Sequence, residues 1–144
     1  LVAFIANDTY HGSRSTNPFG FINNIQSIQL KCAAALIPYT QPITMDFANN
    51  KYVEAYNTIF ANLGEIGNTI TYEGFKEGST IFAFDCTPDL SIGDHTSVLN
   101  EGTLELDIIF TKATESAYNA LFYLEFDNKI EVTQSRAIVF DYKT

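Results

Sequence analysis

Apolar and polar residues alternate along the second half of the chain, from Thr80 to Tyr142. The clearest example is Thr103–Phe110, in which every second residue is apolar and Glu105 and Asp107 lie between them. Successive side chains of a β-strand point to opposite faces, so this segment predicts a strand with one buried and one solvated face. The same rhythm recurs less strictly in four more segments: Ile81–Asp85, Asn119–Phe126, Ile130–Val132 and Ala137–Tyr142. Several short strands without helical periodicity between them predict antiparallel β structure.

The first half of the chain adds strand patterns and loop signals. Leu1–Ala6 is apolar on both faces, which is typical of a strand covered on both sides by a loop, another domain or another subunit. Ile25–Ile37 begins with alternation and predicts a strand, after which two prolines predict an extended edge or loop from Ile37 to Met45. Asn, Asp, Gly and Ser are frequent in Asn7–Gly20 and Thr87–Gly102, which we expect to form long loops.

One segment has helical periodicity instead. Its apolar residues recur at intervals of three and four, at Tyr52, Val53, Tyr56, Ile59, Phe60 and Leu63. Asn49 or Asn50 is available as an N-cap and Gly64 as a C-terminal stop, so the pattern predicts an amphipathic helix at about 50–64. A second, shorter helix is expected after Thr71.

Length and charge narrow the classes of protein to consider. A chain of 144 residues is expected to form a single domain, 1–144, and 46% hydrophobic residues suit a packed core. The net charge is −9 and the eight Lys and Arg residues are scattered singly, which argues against direct binding of nucleic acid. No apolar run approaches the roughly 18 residues of a membrane span. Because the chain begins with Leu1, we expect a processed product or part of a longer polypeptide.

The residues that most resemble a chemical site are acidic. The carboxylates of Asp85, Asp89 and Asp94, together with His95, could hold a hard cation through their oxygen atoms, but these residues lack the spacing of a recognised metal loop. A solvated loop explains them better, and no metal site or cofactor is predicted.

Catalytic arrangements are equally unsupported. His11 and His95 are the only histidines, and no nucleophile motif accompanies them. Glu125 and Asp127 share a strand face, as exposed polar pairs in a β-sandwich often do. The sequence predicts a protein that is not an enzyme.

Cys32 and Cys86 are the two cysteines, and they can pair only if the fold brings them together. Two reduced thiols packed as small apolar groups are the favoured interpretation. Asn7 begins a formal glycosylation sequon, which matters only in a secreted protein.

Six segments follow one another in a distinctive order: Asn7–Gly12, Asn17–Phe21, Tyr52–Phe60, Phe82–Leu90, Gly102–Leu106 and Tyr123–Asn128. In this order they resemble the C-terminal part of the major capsid protein, or hexon, of Polinton/Maverick elements and the related adintoviruses. The resemblance implies an all-β fold, an antiparallel eight-stranded jelly-roll sandwich with one inserted helix. It also implies that the chain is the C-terminal half of a longer double jelly-roll protein. One departure is Ala33–Pro38, where the family pattern has a tight hairpin, so we expect a remodelled corner there.

The same resemblance implies a function and partners. The protein would form homotrimeric capsomers of an icosahedral virion shell, assembled inside the host cell, in the nucleus. Its partners would be other copies of itself, the N-terminal jelly roll, and penton and minor capsid proteins. Apolar contacts between protomers are expected at five candidate interface residues: Leu1, Ala3, Ile5, Tyr52 and Tyr56.

Two other classes of function stay open. A domesticated or secreted jelly-roll module that binds a ligand or receptor is favoured by the Asn7 sequon, the two cysteines and the isolated half. A metal-dependent jelly-roll enzyme of cupin type requires a histidine cluster, which this chain lacks.

Overall fold

A computed structural model describes residues 1–6, 19–32, 35–36, 39–63, 69–87, 102–125 and 130–140. Within these ranges the chain is mainly antiparallel β-sheet with two short helices, in agreement with the predicted β class. The strands are β1 (Val2–Ala6), β2 (Ile25–Cys32), β3 (Ala35–Leu36), β4 (Ile43–Thr44), β5 (Ile81–Phe82), β6 (Leu104–Phe110), β7 (Tyr118–Phe122), β8 (Ile130–Val132) and β9 (Ile138–Phe140). The helices are α1 (Val53–Leu63) and α2 (Tyr72–Lys76).

The first sheet has the strand order β5-β1-β7, with both neighbours antiparallel to β1. Val2 lies opposite Phe82 on one side and opposite Phe122 on the other. Val2, Ala3 and Phe4 are all buried, so β1 is covered on both faces as its sequence predicts.

The second sheet is built around β2. β6 pairs with β2 along its length, while β3 and β4 pair with its other edge. The register shifts between Ile25 and Ser27, so Gln26 is the extra residue of a β-bulge. As a result both Ile25 and Ile28 are buried, although three positions separate them.

A third pairing, between β8 and β9, forms a two-stranded hairpin. Its connection is closed by a bond from the backbone N–H of Arg136 to the carbonyl of Thr133 (2.9 Å). Arg136 has φ of 61°, a left-handed conformation that tight turns require and that non-glycine residues rarely adopt.

The two larger sheets share one core. The ring of Phe4 in β1 meets the ring of Phe110 in β6 edge-to-face, with 6.1 Å between centroids. The buried core residues come from both sheets and both helices: Val2, Phe4, Ile25, Ile28, Ile43, Met45, Phe47, Tyr52, Ala55, Ile59, Phe75 and Phe82.

The helices lie in the connection between β4 and β5 and pack against this core through Ala55, Ile59 and Phe75. Helix α1 confirms the amphipathic helix predicted at about 50–64, but its predicted N-cap is wrong. Asn49 instead bonds the carboxylate of Asp46 through its backbone and side-chain nitrogens, and Asn50 turns the chain at φ of 56°. Both asparagines therefore form the turn before the helix. The second predicted helix is confirmed as α2, where the Thr71 hydroxyl accepts the backbone N–H of Gly74 (3.0 Å).

The predicted strands are confirmed, most of them with shorter bounds and β8 with the same bounds, and one prediction is corrected. The single strand expected over Ile25–Ile37 ends at Cys32, and β3 then runs back beside it with Ala35 opposite Cys32. The structure thus reverses the chain close to the corner expected to be remodelled. The predicted loops Asn7–Gly20 and Thr87–Gly102 lie almost wholly outside the described residues.

Candidate interaction surface

The most unusual surface of the described chain is an apolar run at the end of β7. Phe122, Tyr123 and Leu124 expose 56%, 61% and 51% of their area, and we call these three residues the β7 strip. The backbone N–H of Tyr123 donates to the carbonyl of Leu1 (3.0 Å), which holds the strip beside the beginning of β1. Contiguous exposed apolar side chains are typical of a surface that another molecule or domain covers.

The strip continues the core outward. Residues directly opposite each other in a sheet point to the same side, so Phe122 shares the face of its partner Val2, which is buried. On the facing sheet, Leu104 lies on the core side of β6 and is also exposed. Apolar surface is therefore exposed where β6 begins and β7 ends, whereas the rings of Phe110 and Tyr118 meet edge-to-face between the other ends of these strands, with 5.6 Å between centroids.

The outer face of the second sheet has the opposite chemistry. The Lys31 ammonium pairs with the carboxylate of Asp107 and lies 3.8 Å from that of Glu105. The hydrogen bond to Asp107 raises the pKa of Lys31. Both carboxylates are exposed, so the described part of this face is a solvated ionic surface.

The predicted interface residues lie in different environments. Ala3 and Tyr52 are buried inside this chain, and the Tyr52 ring stacks on Tyr72 with 4.3 Å between centroids. Tyr56 is partly buried, and its hydroxyl donates to the carbonyl of Ile70 (2.8 Å). The rings of Tyr52 and Tyr56 therefore pack within the chain, against Tyr72 of α2. Contact with another chain stays a prediction.

The first strand supplies the other two predicted interface positions. Leu1 is partly exposed and lies next to the β7 strip. The backbone of Ile5 pairs with Asn119 in β7. The structure thus brings Leu1, but neither tyrosine, beside the exposed apolar run.

The candidate chemical residues show no active arrangement among the residues that the structure describes. No group of three or more metal-ligating side chains occurs in these ranges. The Asp85 carboxylate accepts the backbone N–H (2.9 Å) and the hydroxyl (2.7 Å) of Thr87, which explains it as the start of a turn. Glu125 is exposed. The other candidates lie outside the described residues: Asn7, His11, Asp89, Asp94, His95 and Asp127.

An open depression of about 560 Å³ lies between the segment before β2 and the end of α2. Its polar side chains bond protein groups: Asn23 donates to the Lys76 carbonyl (2.8 Å), and Lys112 pairs with Glu115 (2.6 Å). The Lys76 ammonium likewise bonds the side-chain oxygen of Asn50 (2.8 Å). These groups are engaged within the chain and do not converge on a common point.

The described helices include none that is both long enough and apolar enough to cross a membrane.

Comparison with known proteins gives one informative relationship. The chain is 26% identical over 135 residues to an uncharacterized protein of Caenorhabditis elegans, a match that covers 88% of this chain and 32% of that protein. The chain thus spans about a third of the length of this relative. No family model matches the chain, and no solved structure matches it.

Proposed function

We propose that this chain is a structural capsid component without catalytic activity. In this proposal it is an eight-stranded jelly roll, the C-terminal half of a double jelly-roll major capsid protein of the Polinton/Maverick kind. It associates into homotrimeric capsomers of an icosahedral virion shell, with other copies of itself and an N-terminal jelly roll as partners. The β7 strip is the observation that carries the proposal.

The architecture of the chain is the first support for the capsid proposal. Two antiparallel sheets face each other across one core, and the helices lie in a connection between strands, as a jelly roll permits. Such sheets bury one face and must cover their open edges. The order of the six sequence segments that resemble hexon adds the capsid assignment.

The exposed β7 strip is the second support for the capsid proposal. Interfaces of permanent assemblies resemble a domain core cut in half, and Phe122 has this position because it extends the face of buried Val2. Aromatic side chains such as Phe122 and Tyr123 are enriched at the centre of such interfaces. The longer polypeptide indicated by the C. elegans relative would have room for a second jelly roll.

The proposal predicts that polar substitutions in the β7 strip weaken association. The variant Phe122→Ser with Tyr123→Ser is tested by sedimentation equilibrium, with the chain alone and mixed with the N-terminal part of the longer polypeptide. We expect at least a tenfold weaker complex, since truncating a central aromatic anchor costs roughly 2 kcal/mol or more.

The matched control is Val53→Ser on α1, because Val53 is 59% exposed but lies away from the strip. It should leave association unchanged. Equal affinities of the strip variant and the control would contradict the proposal. The proposal would also be contradicted if the chain stayed monomeric at high concentration both alone and with the N-terminal part of the longer polypeptide.

A further inference from the structure

The two cysteines come to the same end of the core from different sheets. Cys32 closes β2, and its side chain follows Ile28 and Leu30 on the buried face. Cys86 lies four residues after the end of β5 and is half-buried. Both are thiols in this structure.

The heights of the two cysteines along the sandwich can be compared from two reference points. The first is the beginning of β2. The carbonyl of Phe4 accepts the backbone N–H of Ile22 (2.8 Å), just before β2. The Phe4 ring also meets Phe110, which lies opposite Ile25. Phe4 is therefore level with the first residue of β2. From there β2 runs seven residues to Cys32, or roughly 23 Å at about 3.3 Å per residue.

The register of β5 gives the second reference point. Ala3 lies opposite Ile81 and Val2 opposite Phe82, which places Thr80 level with Phe4. Six residues separate Thr80 from Cys86, or roughly 20 Å of extended chain. Val2 and Phe82 share one core with Ile28, so the two sheets overlap in this direction. Cys32 and Cys86 thus lie at nearly the same distance from Phe4 along the two sheets, roughly 23 Å and roughly 20 Å.

Side-chain direction brings them toward each other. Phe82 is buried, Phe84 packs against the core, and Cys86 falls at the next alternate position in a segment without helix or turn. Burial raises the pKa of the Cys86 thiol, and the nearby Cys32 and Asp85 raise it further, as expected of two thiols close together.

We propose that Cys32 and Cys86 form an intramolecular disulfide when the chain meets glutathione disulfide, and that this bond joins the two sheets. The Cys86 thiolate attacks one sulfur of glutathione disulfide, which forms a mixed disulfide and releases one glutathione thiolate. The Cys32 thiol then loses its proton and attacks the Cys86 sulfur, which releases the second glutathione. The two protein thiols are oxidised and the oxidant is reduced to two glutathione molecules.

Precedent and local structure agree with this step. A disulfide between facing sheets is a regular feature of immunoglobulin sandwiches. The described ladder of β5 ends at Phe82, so no ladder bond with β1 fixes the backbone of Cys86. That leaves room for the Cα–Cα spacing of about 4.4–6.8 Å that a disulfide requires.

The bond does not depend on the capsid proposal, since it requires only that the chain meet the oxidant, which a secreted module would do during secretion. In a capsid it would form when the particle leaves the reducing interior of the cell.

The test treats the reduced chain with glutathione disulfide and follows the intact mass, then maps the peptides. We expect the mass to fall by two hydrogen atoms and a linked peptide pair containing Cys32 and Cys86. The oxidised chain should unfold at a higher urea concentration than the reduced chain, because the bond restricts the unfolded state.

Two variants complete the test. Cys86→Ser should lose both the mass change and the shift in urea midpoint, and it is safe for folding because Cys86 is only half-buried. Cys32→Ala should stop at the glutathione adduct on Cys86. An unchanged mass, a stable glutathione adduct in the parent chain or a bond only between chains would overturn the proposal.

Discussion

Among single residues, buried hydroxyl groups connect the helices to the first sheet. The Thr58 hydroxyl donates to the Ala55 carbonyl within α1 (2.7 Å) and accepts the backbone N–H of Ala83 after β5 (3.4 Å). The Thr80 hydroxyl donates to the Phe75 carbonyl at the end of α2 (2.7 Å). Both threonines are buried, so water cannot replace these bonds.

Replacing the Thr58 hydroxyl by a methyl group tests this connection. Thr58→Val keeps the shape of the side chain but leaves the N–H of Ala83 without this acceptor. We expect a loss of roughly 1–3 kcal/mol in the free energy of unfolding, measured by urea denaturation. The control Thr114→Val, at an exposed position, should change stability by less than about 0.5 kcal/mol. Equal effects of the two substitutions would contradict the assigned role.

The turn before α1 should respond to acid. Hydrogen bonds from the Asn49 side chain and backbone lower the pKa of Asp46 below 3.8. A carboxyl whose pKa is lower in the folded state stabilises the fold above its unfolded pKa, and this contribution disappears as pH falls through the folded value. Asp46→Asn should therefore be less stable than the parent at neutral pH.

The same variant should approach the parent in stability below pH 3.8, because Asp46 is then increasingly protonated. Denaturation of both chains across this range measures the difference. Glu125→Gln, at an exposed carboxylate, serves as the control. A difference that stays constant down to the lowest pH would show that the Asp46 charge is not involved.

Among the elements, the second sheet most clearly separates a core face from a solvent face. Ile28 in β2 is fully buried, whereas Ile109 in β6 is 59% exposed. Ile28 lies opposite Ile108, and Ile109 lies opposite Ser27 one position along the same ladder. Neighbouring isoleucines in one sheet thus differ only in the face to which they point.

This pair gives a direct test of the register. Ile28→Ala should cost about 2–5 kcal/mol in unfolding free energy, because it leaves a cavity between the sheets. Ile109→Ala should cost less than about 0.5 kcal/mol, because it removes a largely solvated side chain. Urea denaturation measures both. A cost for Ile109→Ala as large as that for Ile28→Ala would mean that β6 is shifted by one residue, which exchanges its two faces.

Elements with a pattern of their own could be predicted from the sequence. Alternation in Thr103–Phe110 predicts β6. In the structure Asp107 is exposed, and its neighbours Leu106 and Ile108 are partly buried. Strands β3 and β4 have only two residues each, so they depend on pairing with β2 and show no period that could be recognised. The predicted N-cap of α1 failed because Asp46, outside the helix pattern, binds Asn49 instead.

The candidate site was less predictable for a related reason. Five successive apolar residues, Ala120–Leu124, interrupt the alternation of β7, and this run is the signal that the sequence offers. Whether such residues are covered depends on strands distant in sequence, and local pattern carries no information about that. Tyr52 shows the converse, since it was expected at an interface and lies buried against Phe47, Tyr72 and Phe75.

In the part of the molecule that the structure describes, two sheets share a core against which both helices pack, and apolar surface is exposed at Leu104 of β6 and Phe122 of β7. The net charge of −9 makes free copies repel one another, so the proposed association would depend on apolar contacts such as the β7 strip. Higher ionic strength screens this repulsion and should strengthen the complex. A contact held by ion pairs would weaken with salt instead.

We propose that this chain is half of a capsid protein and that it functions only as part of an assembly. The intact mass and particle state of the native protein, measured by mass spectrometry and electron microscopy, test it most directly. We expect a polypeptide of at least twice the 16.1 kDa of this chain, present as trimers or within closed shells. A native polypeptide of 16.1 kDa that stays a dispersed monomer would contradict it.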